Sequence, residues 1–270
     1  MNTAMIKELR ERTGVGFGDC KKALVEADWD MDRAVDVVRR QSGAKAAKKA
    51  DRAASEGLLG LALDDAGGAV VEVNVETDFA ARSAQFGVFV ERAVEQALAS
   101  GADGLAEALE DERQSLVQEI GENVNVRRAV ALSVPDGVVA GYLHQDRKKA
   151  ALVAVSGGEN HDHSALARDI AMHITAMRPL VVSPADMPED LIAKERAILM
   201  EQAADSGKPP QIVERMVEGR LRKFLAESSL TEQPFVKDTS TTVGKLLKAA
   251  NATCEGFERF EVGEGIDGSA

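Results

Sequence analysis

Apolar and polar residues alternate along Val71-Glu72-Val73-Asn74-Val75-Glu76, with the valines on one side. A period of two is that of a strand with one buried face. The alternation stops at Thr77-Asp78, residue types whose side-chain oxygens cap helices. Phe86, Phe89, Val90, Ala93, Val94, Ala97 and Leu98 then fall on one helical stripe. Asp78 and Phe79 therefore belong to a strand-to-helix corner. There Phe79 either folds back as a staple on its own helix or is held outward on a rigid base. The residues alone favour the first, because most aromatic side chains are buried.

Residues 1–42 read as three short helices. Met5, Ile6, Leu9 and Thr13 stripe the first, and Cys20, Ala23, Leu24 and Ala27 the second, with Asp19 as its cap. Met31, Ala34, Val35 and Val38 stripe the third, capped by Asp30. Val15 and Phe17 lie in the glycine turn between the first two helices. They are either a contact surface, with Arg12 beside them, or a lid in which Phe17 closes the small core. Residues 43–55 are alanine-rich and basic without a bulky apolar side chain, the composition of a linker. Strands are expected at 58–63 and 69–75, forming a hairpin, and helices at about 80–100 and 104–121. Strands return at 128–134, 138–144 and 150–155, followed by a helix at 164–177. The order strand, strand, long helix thus occurs twice, the pattern of two related α+β halves. Two charged helical runs between 188 and 227 flank Ser206-Gly207-Lys208-Pro209-Pro210 and read as an antiparallel hairpin. A helix at 242–251 and a strand at 257–262 close the chain. The expected divisions are 1–42, a linker 43–55, core halves 56–145 and 146–240, and a short C-terminal module 241–270.

Composition narrows the function. The 270 residues hold 45 acidic and 33 basic side chains, a net charge of -12, and only 4% aromatics. An acidic chain repels phosphate backbones, so nucleic-acid binding is not expected. No apolar run reaches the ~20 residues of a membrane span, and the first residues lack a signal peptide's apolar core. A cytoplasmic location is expected. Cys20 and Cys254 are far apart and form neither a disulfide framework nor a metal spacing.

Chemical motifs fail one by one. Gly14-Val15-Gly16-Phe17-Gly18-Asp19-Cys20-Lys21 resembles a phosphate loop but has Asp19 and Cys20 where Gly and Lys are required. His161-Asp162-His163 lies in a polar loop with no fixed third ligand, so no metal site is expected. His173 adjoins an apolar stripe, where a packed histidine is the ordinary case. His144 ends a strand, a suitable place for a surface contact. No reaction centre emerges, which points to a binding protein without a cofactor of its own.

Seven segments occur in the order of one family: KELRERTGVGFGDCKKAL at 7–24, VETDFAAR at 75–82, IGENVNVRR at 120–128, DIAMHI at 169–174, SGKPPQIVERMVEGRLRKF at 206–224, QPFVKD at 233–238 and FERFEVGEGI at 257–266. On these the chain resembles the bacterial elongation factor Ts family along nearly its whole length. The resemblance implies an α+β fold: a three-helix module similar to ubiquitin-associated domains, a two-subdomain core with an inserted coiled-coil-like hairpin, and a C-terminal module. It implies guanine-nucleotide exchange on elongation factor Tu, with GDP released so that GTP can bind. The alternative is a non-exchanging chaperone or scaffold for a GTPase. It also implies that Thr77, Asp78, Phe79 and the adjoining Ala80 enter the GTPase and disturb its magnesium site, which reverses the default for Phe79. Family members dimerise in part through the hairpin, so a homodimer or a 2:2 complex is an open expectation. Three segments depart from the family's usual pattern. Ala80 stands where valine is common, Phe17-Gly18 where two methionines are common, and Gln145-Asp146-Arg147-Lys148-Lys149 where a glycine-containing loop follows the histidine.

Overall fold

The computed structural model describes residues 2–157, 163–204 and 209–266. The fold is α+β. Three helices open it: α1 (Asn2–Thr13), α2 (Phe17–Glu26) and α3 (Met31–Ala47). Ile6, Leu9, Val15, Cys20, Leu24, Ala34 and Val38 close their small core. The Asp30 carboxylate accepts from the Arg33 N–H at 2.8 Å and caps α3 as its sequence position suggests. Asp19 does not cap α2. The helix starts at Phe17 after Gly16, and Asp19 lies inside its first turn, 2.8 Å from Lys45.

α3 runs five residues past the expected boundary at 42. Alanine and lysine are good helix formers, and packing holds the extension in place. Ala46 is buried in the next core, and Ser42 hydrogen-bonds Gln118. A side chain at Gly43 would meet Gln114 at 3.0 Å, so glycine permits this approach. The N-terminal part of the expected linker is therefore a docked helix.

β1 (Glu56–Leu63) and β2 (Gly68–Val75) form the expected hairpin. Then come α4 (Asp78–Ala81), α5 (Ala84–Ser100), α6 (Leu105–Ala108), α7 (Glu110–Ile120) and β3 (Val124–Leu132). The sheet order is β1-β2-β3, antiparallel throughout. β4 (Gly137–Leu143), β5 (Lys149–Ser156) and α8 (Ser164–Met177) come after it. Next are α9 (Glu189–Ala204), α10 (Pro210–Ser228), β6 (Pro234–Phe235), β7 (Asp238–Thr242), α11 (Val243–Ala249) and β8 (Thr253–Glu261). The second sheet is ordered β4-β5-β8. The expected division puts β4 inside the first half, at 56–145; it pairs instead with β5 across a tight turn. Each sheet thus consists of a hairpin, a helical excursion and a strand returning beside the hairpin's second member.

α9 and α10 pack on each other through Leu199, Ala203, Val217 and Leu221. The Arg196–Glu218 and Arg220–Gln202 pairs link them, and the Leu180 N–H to Ser228 carbonyl and Leu230 N–H to Val181 carbonyl bonds return the end of α10 to the segment before α9, so the two run antiparallel. At the hairpin's base His173 is fully buried. Its Nε2–H donates to Gln233 Oε1 at 2.9 Å, and its Nδ1 accepts from the Val236 N–H at 3.1 Å. Gln233 in turn donates to the Glu227 carbonyl at 2.6 Å. This is the packed histidine expected, held neutral, since burial lowers its pKa more than the Gln233 bond raises it.

The alternation in β2 predicts one buried face, yet every residue of the strand is buried. Ala69, Val71, Val73 and Val75 face α5 and α7. On the other side Leu59, Val70, Ala150, Leu152 and Phe260 join the two sheets. Gly141 marks how close they come, because a Cβ there would lie 2.7 Å from Leu61. Glu72, expected at the surface, is 0% exposed. A bulge in β3 aims two successive arginines at it. Arg127 and Arg128 donate at 2.9 and 2.6 Å, and the Gly263 N–H at 2.8 Å. Burial alone would raise the Glu72 pKa. The Gly263 bond, the two arginines and Asn74 outweigh it and hold the carboxyl below its ordinary range.

Candidate functional site

β2 delivers the chain to the corner. Thr77 is extended, at φ -125° and ψ 155°, and its hydroxyl accepts from the Ala80 N–H at 3.3 Å, starting α4. Ser83 accepts from the Phe86 N–H at 3.3 Å and starts α5. Two caps in seven residues make a kinked entry instead of one continuous helix from about 80. Within α4 the side chains of Ala80 and Ala81 turn into the core. Helical geometry then sends Phe79 the other way, and it is 80% exposed. The folded-back arrangement is not what the structure contains. Asp78 pairs with Arg82 at 2.8 Å on the same exposed side.

The corner is tied down from behind. Glu122 accepts from the Thr77 N–H at 2.9 Å and from its hydroxyl at 2.8 Å. Glu76 accepts from the Asn123 N–H at 2.6 Å. Both partners lie in IGENVNVRR, a segment noted only for its resemblance. Nothing in its spacing assigned them to a corner 45 residues earlier.

The other candidate residues are dispersed. Val15 is 1% exposed inside the three-helix core, so it offers no contact surface. Phe17, one step outside that core, is 48% exposed, which supports the contact alternative for this residue over the lid. Ala80 is 7% exposed and packs inward, so its side chain is unavailable to a partner. Arg12 is exposed and pairs with Glu8 at 2.6 Å. His144 lies 2.8 Å from Asp146 in the β4–β5 turn. Burial raises the Asp146 carboxyl, but His144 and the Lys148 N–H hold it below its usual pKa. Arg147 and Lys148 of this altered loop turn inward: Arg147 lies 2.7 Å from Glu91 and Lys148 2.7 Å from Glu56. A groove of about 780 Å³ runs from the Thr13–Gly14 turn to Ala84, Val88 and Leu116, bringing the three-helix module up to the start of α5.

Among the described residues no group of three or more His, Cys, Asp or Glu side chains can hold a metal. His161 and Asp162 lie outside them, and His163 bonds the Gly157 carbonyl at 2.6 Å. Cys20 and Cys254 are both buried, and burial pushes the Cys254 thiol up to about 11, the reverse of a nucleophile's requirement. No described helix is long and apolar enough to cross a membrane.

A sequence model of the family described as Elongation factor TS matches residues 76–264. The chain belongs to the elongation factor Ts family. Elongation factor Ts of Teredinibacter turnerae is 49% identical over 273 residues, covering 99% of this chain and 92% of that protein. Elongation factor Ts of Saccharophagus degradans is 49% identical, covering 99% and 93%. That of Hahella chejuensis is also 49% identical, over 99% and 93%. The family model takes in the corner, the Glu122–Asn123 turn and the second sheet, and the relatives' coverage extends to β1 and β2.

Proposed function

We propose that this protein is a guanine-nucleotide exchange factor that binds elongation factor Tu carrying GDP, disturbs its magnesium site and promotes GDP release. Membership of the elongation factor Ts family supplies the partner class. The observation that carries the reading is Phe79, a large apolar side chain left 80% exposed on a corner whose neighbours are all fixed. The burial energy of this side chain is gained only when a partner covers it.

Exchange needs no covalent step. The factor must bind the nucleotide-free GTPase better than the GDP-bound one, and linkage makes GDP weaken the factor by the same ratio. Magnesium bridges the diphosphate to the GTPase, so moving the groups that support it loosens GDP. Phe79 acts as the wedge, while Thr77 and Asp78 hold the corner against the GTPase. A buried aromatic anchor contributes ~2–4 kcal/mol at an interface. Each ~1.4 kcal/mol used against GDP is a tenfold gain in release. Phe17, Arg12 and His144 are proposed as further contacts on the GTPase. Release of a fluorescent GDP analogue from elongation factor Tu, with this protein substoichiometric, tests the reading. Many turnovers of release per molecule support it. Binding without acceleration refutes exchange and leaves a chaperone or scaffold.

A further inference from the structure

The direction in which Phe79 points is set from outside its own element. α4 has only four residues, too short to hold itself together. Its first bond, from the Ala80 N–H to Thr77 Oγ1, needs the hydroxyl turned so that a lone pair faces the amide. Glu122 does this by accepting a hydrogen bond from the hydroxyl at 2.8 Å and from the Thr77 N–H at 2.9 Å. One residue on, the side-chain amide of Asn123 donates to the carbonyls of Ala50 and Arg52 at 3.2 and 2.9 Å. Its backbone N–H holds Glu76. The two residues therefore grip the corner on one side and the segment leaving the three-helix module on the other.

We infer that Glu122 and Asn123 are positioning residues: they fix the presentation of Phe79 and couple it to the three-helix module. The functional half of this inference rests on the exchange reading; the geometric half does not. Glu122→Gln keeps two bonds to Thr77: Oε1 accepts the N–H, and the amide donates to one lone pair of the hydroxyl, reversing that bond but leaving the second lone pair for the Ala80 N–H. Glu122→Ala preserves neither.

The test compares the full chain with Glu122→Ala and Glu122→Gln by hydrogen–deuterium exchange of the Ala80–Ser83 amides, without any partner. Glu122→Ala is expected to speed these amides roughly tenfold, the scale of one lost charge-assisted hydrogen bond. Glu122→Gln should stay near the parent. In GDP release, Glu122→Ala is expected to lower the maximal rate by a similar factor with little change in half-saturating concentration, and to add nothing in a Phe79→Ala background. Unchanged amides, or an equal further loss without Phe79, overturn the inference. A merely structural role would give that equal loss. Should Glu122→Ala not fold, Asn123→Ala serves. It retains the Glu76 bond, and unchanged amides over residues 50–54 and 80–83 would overturn the coupling. If the parent itself releases no GDP, the exchange reading falls, and the amide comparison still decides the positioning.

Discussion

Phe79→Ala separates surface from core more cleanly than any other change in this chain. The parent side chain is 80% exposed and belongs to none of the hydrophobic clusters. Removing it from the free protein should alter stability by no more than about 0.5 kcal/mol, the usual range for surface substitutions. Seven positions on, Phe86 is 0% exposed and lies at the centre of the first core. Its replacement by alanine should cost ~3–5 kcal/mol. In the complex the order reverses. If Phe79 is the wedge, its loss removes ~2–4 kcal/mol of interface energy, which at ~1.4 kcal/mol per decade slows GDP release tens- to hundreds-fold. Urea denaturation gives the first quantity and fluorescent GDP release the second. An alanine variant that exchanges as fast as the parent refutes the wedge. One that unfolds several kcal/mol more easily refutes the exposed, unstrained corner.

Other expectations come from buried groups and from the docked helix. The Glu72 carboxyl is held below its ordinary pKa, so its ion pairs add stability that is present above about pH 4.3, the unfolded value, and is lost as pH falls through the lower folded value. Glu72→Gln should therefore be less stable than the parent at pH 7, with a shallower loss between pH 5 and 3 in urea titrations; parallel curves would be contrary. His173, whose folded pKa is lowered by burial, contributes stability that is present above about pH 6.5 and declines on acidification through its folded value. His173→Gln should remove the part of the loss between pH 7.5 and 5.5 that belongs to this group, measured by the same titrations. Deleting residues 1–42 should weaken binding to elongation factor Tu without melting the sheets. It also cuts α3 five residues before its end and leaves Ala46 without its helix, so a far-ultraviolet melt should show a small loss that ending the deletion at residue 30 avoids.

Local spacing decided most of the elements. The apolar stripes placed α5 and α8, period two placed β2, the glycine-bearing turn at 64–68 placed β1 beside it, an unbroken apolar run placed β5, and Thr77, Asp30 and the proline-bearing break marked ends that caps and missing N–H groups impose. Charge and the lack of a reactive constellation pointed to binding over catalysis. What the spacing could not carry was the second partner of each surface. β2 presents an acidic, polar face that any sequence rule sends to water. Only the second sheet, whose strands come some 65 to 190 residues later, buries that face, and only the bulge in β3 supplies two arginines to neutralise it. Val15 was a candidate because it shares the glycine turn with Phe17, and Ala80 because the family resemblance placed it beside Phe79. In a helical turn or a tight loop, however, neighbouring side chains point opposite ways, and the tertiary core claimed the smaller one each time. Glu122 and Thr77 are 45 residues apart. A sequence records what is near along the chain, and it is folding that pairs a donor with an acceptor across such a distance, because burial removes the water that would otherwise satisfy both.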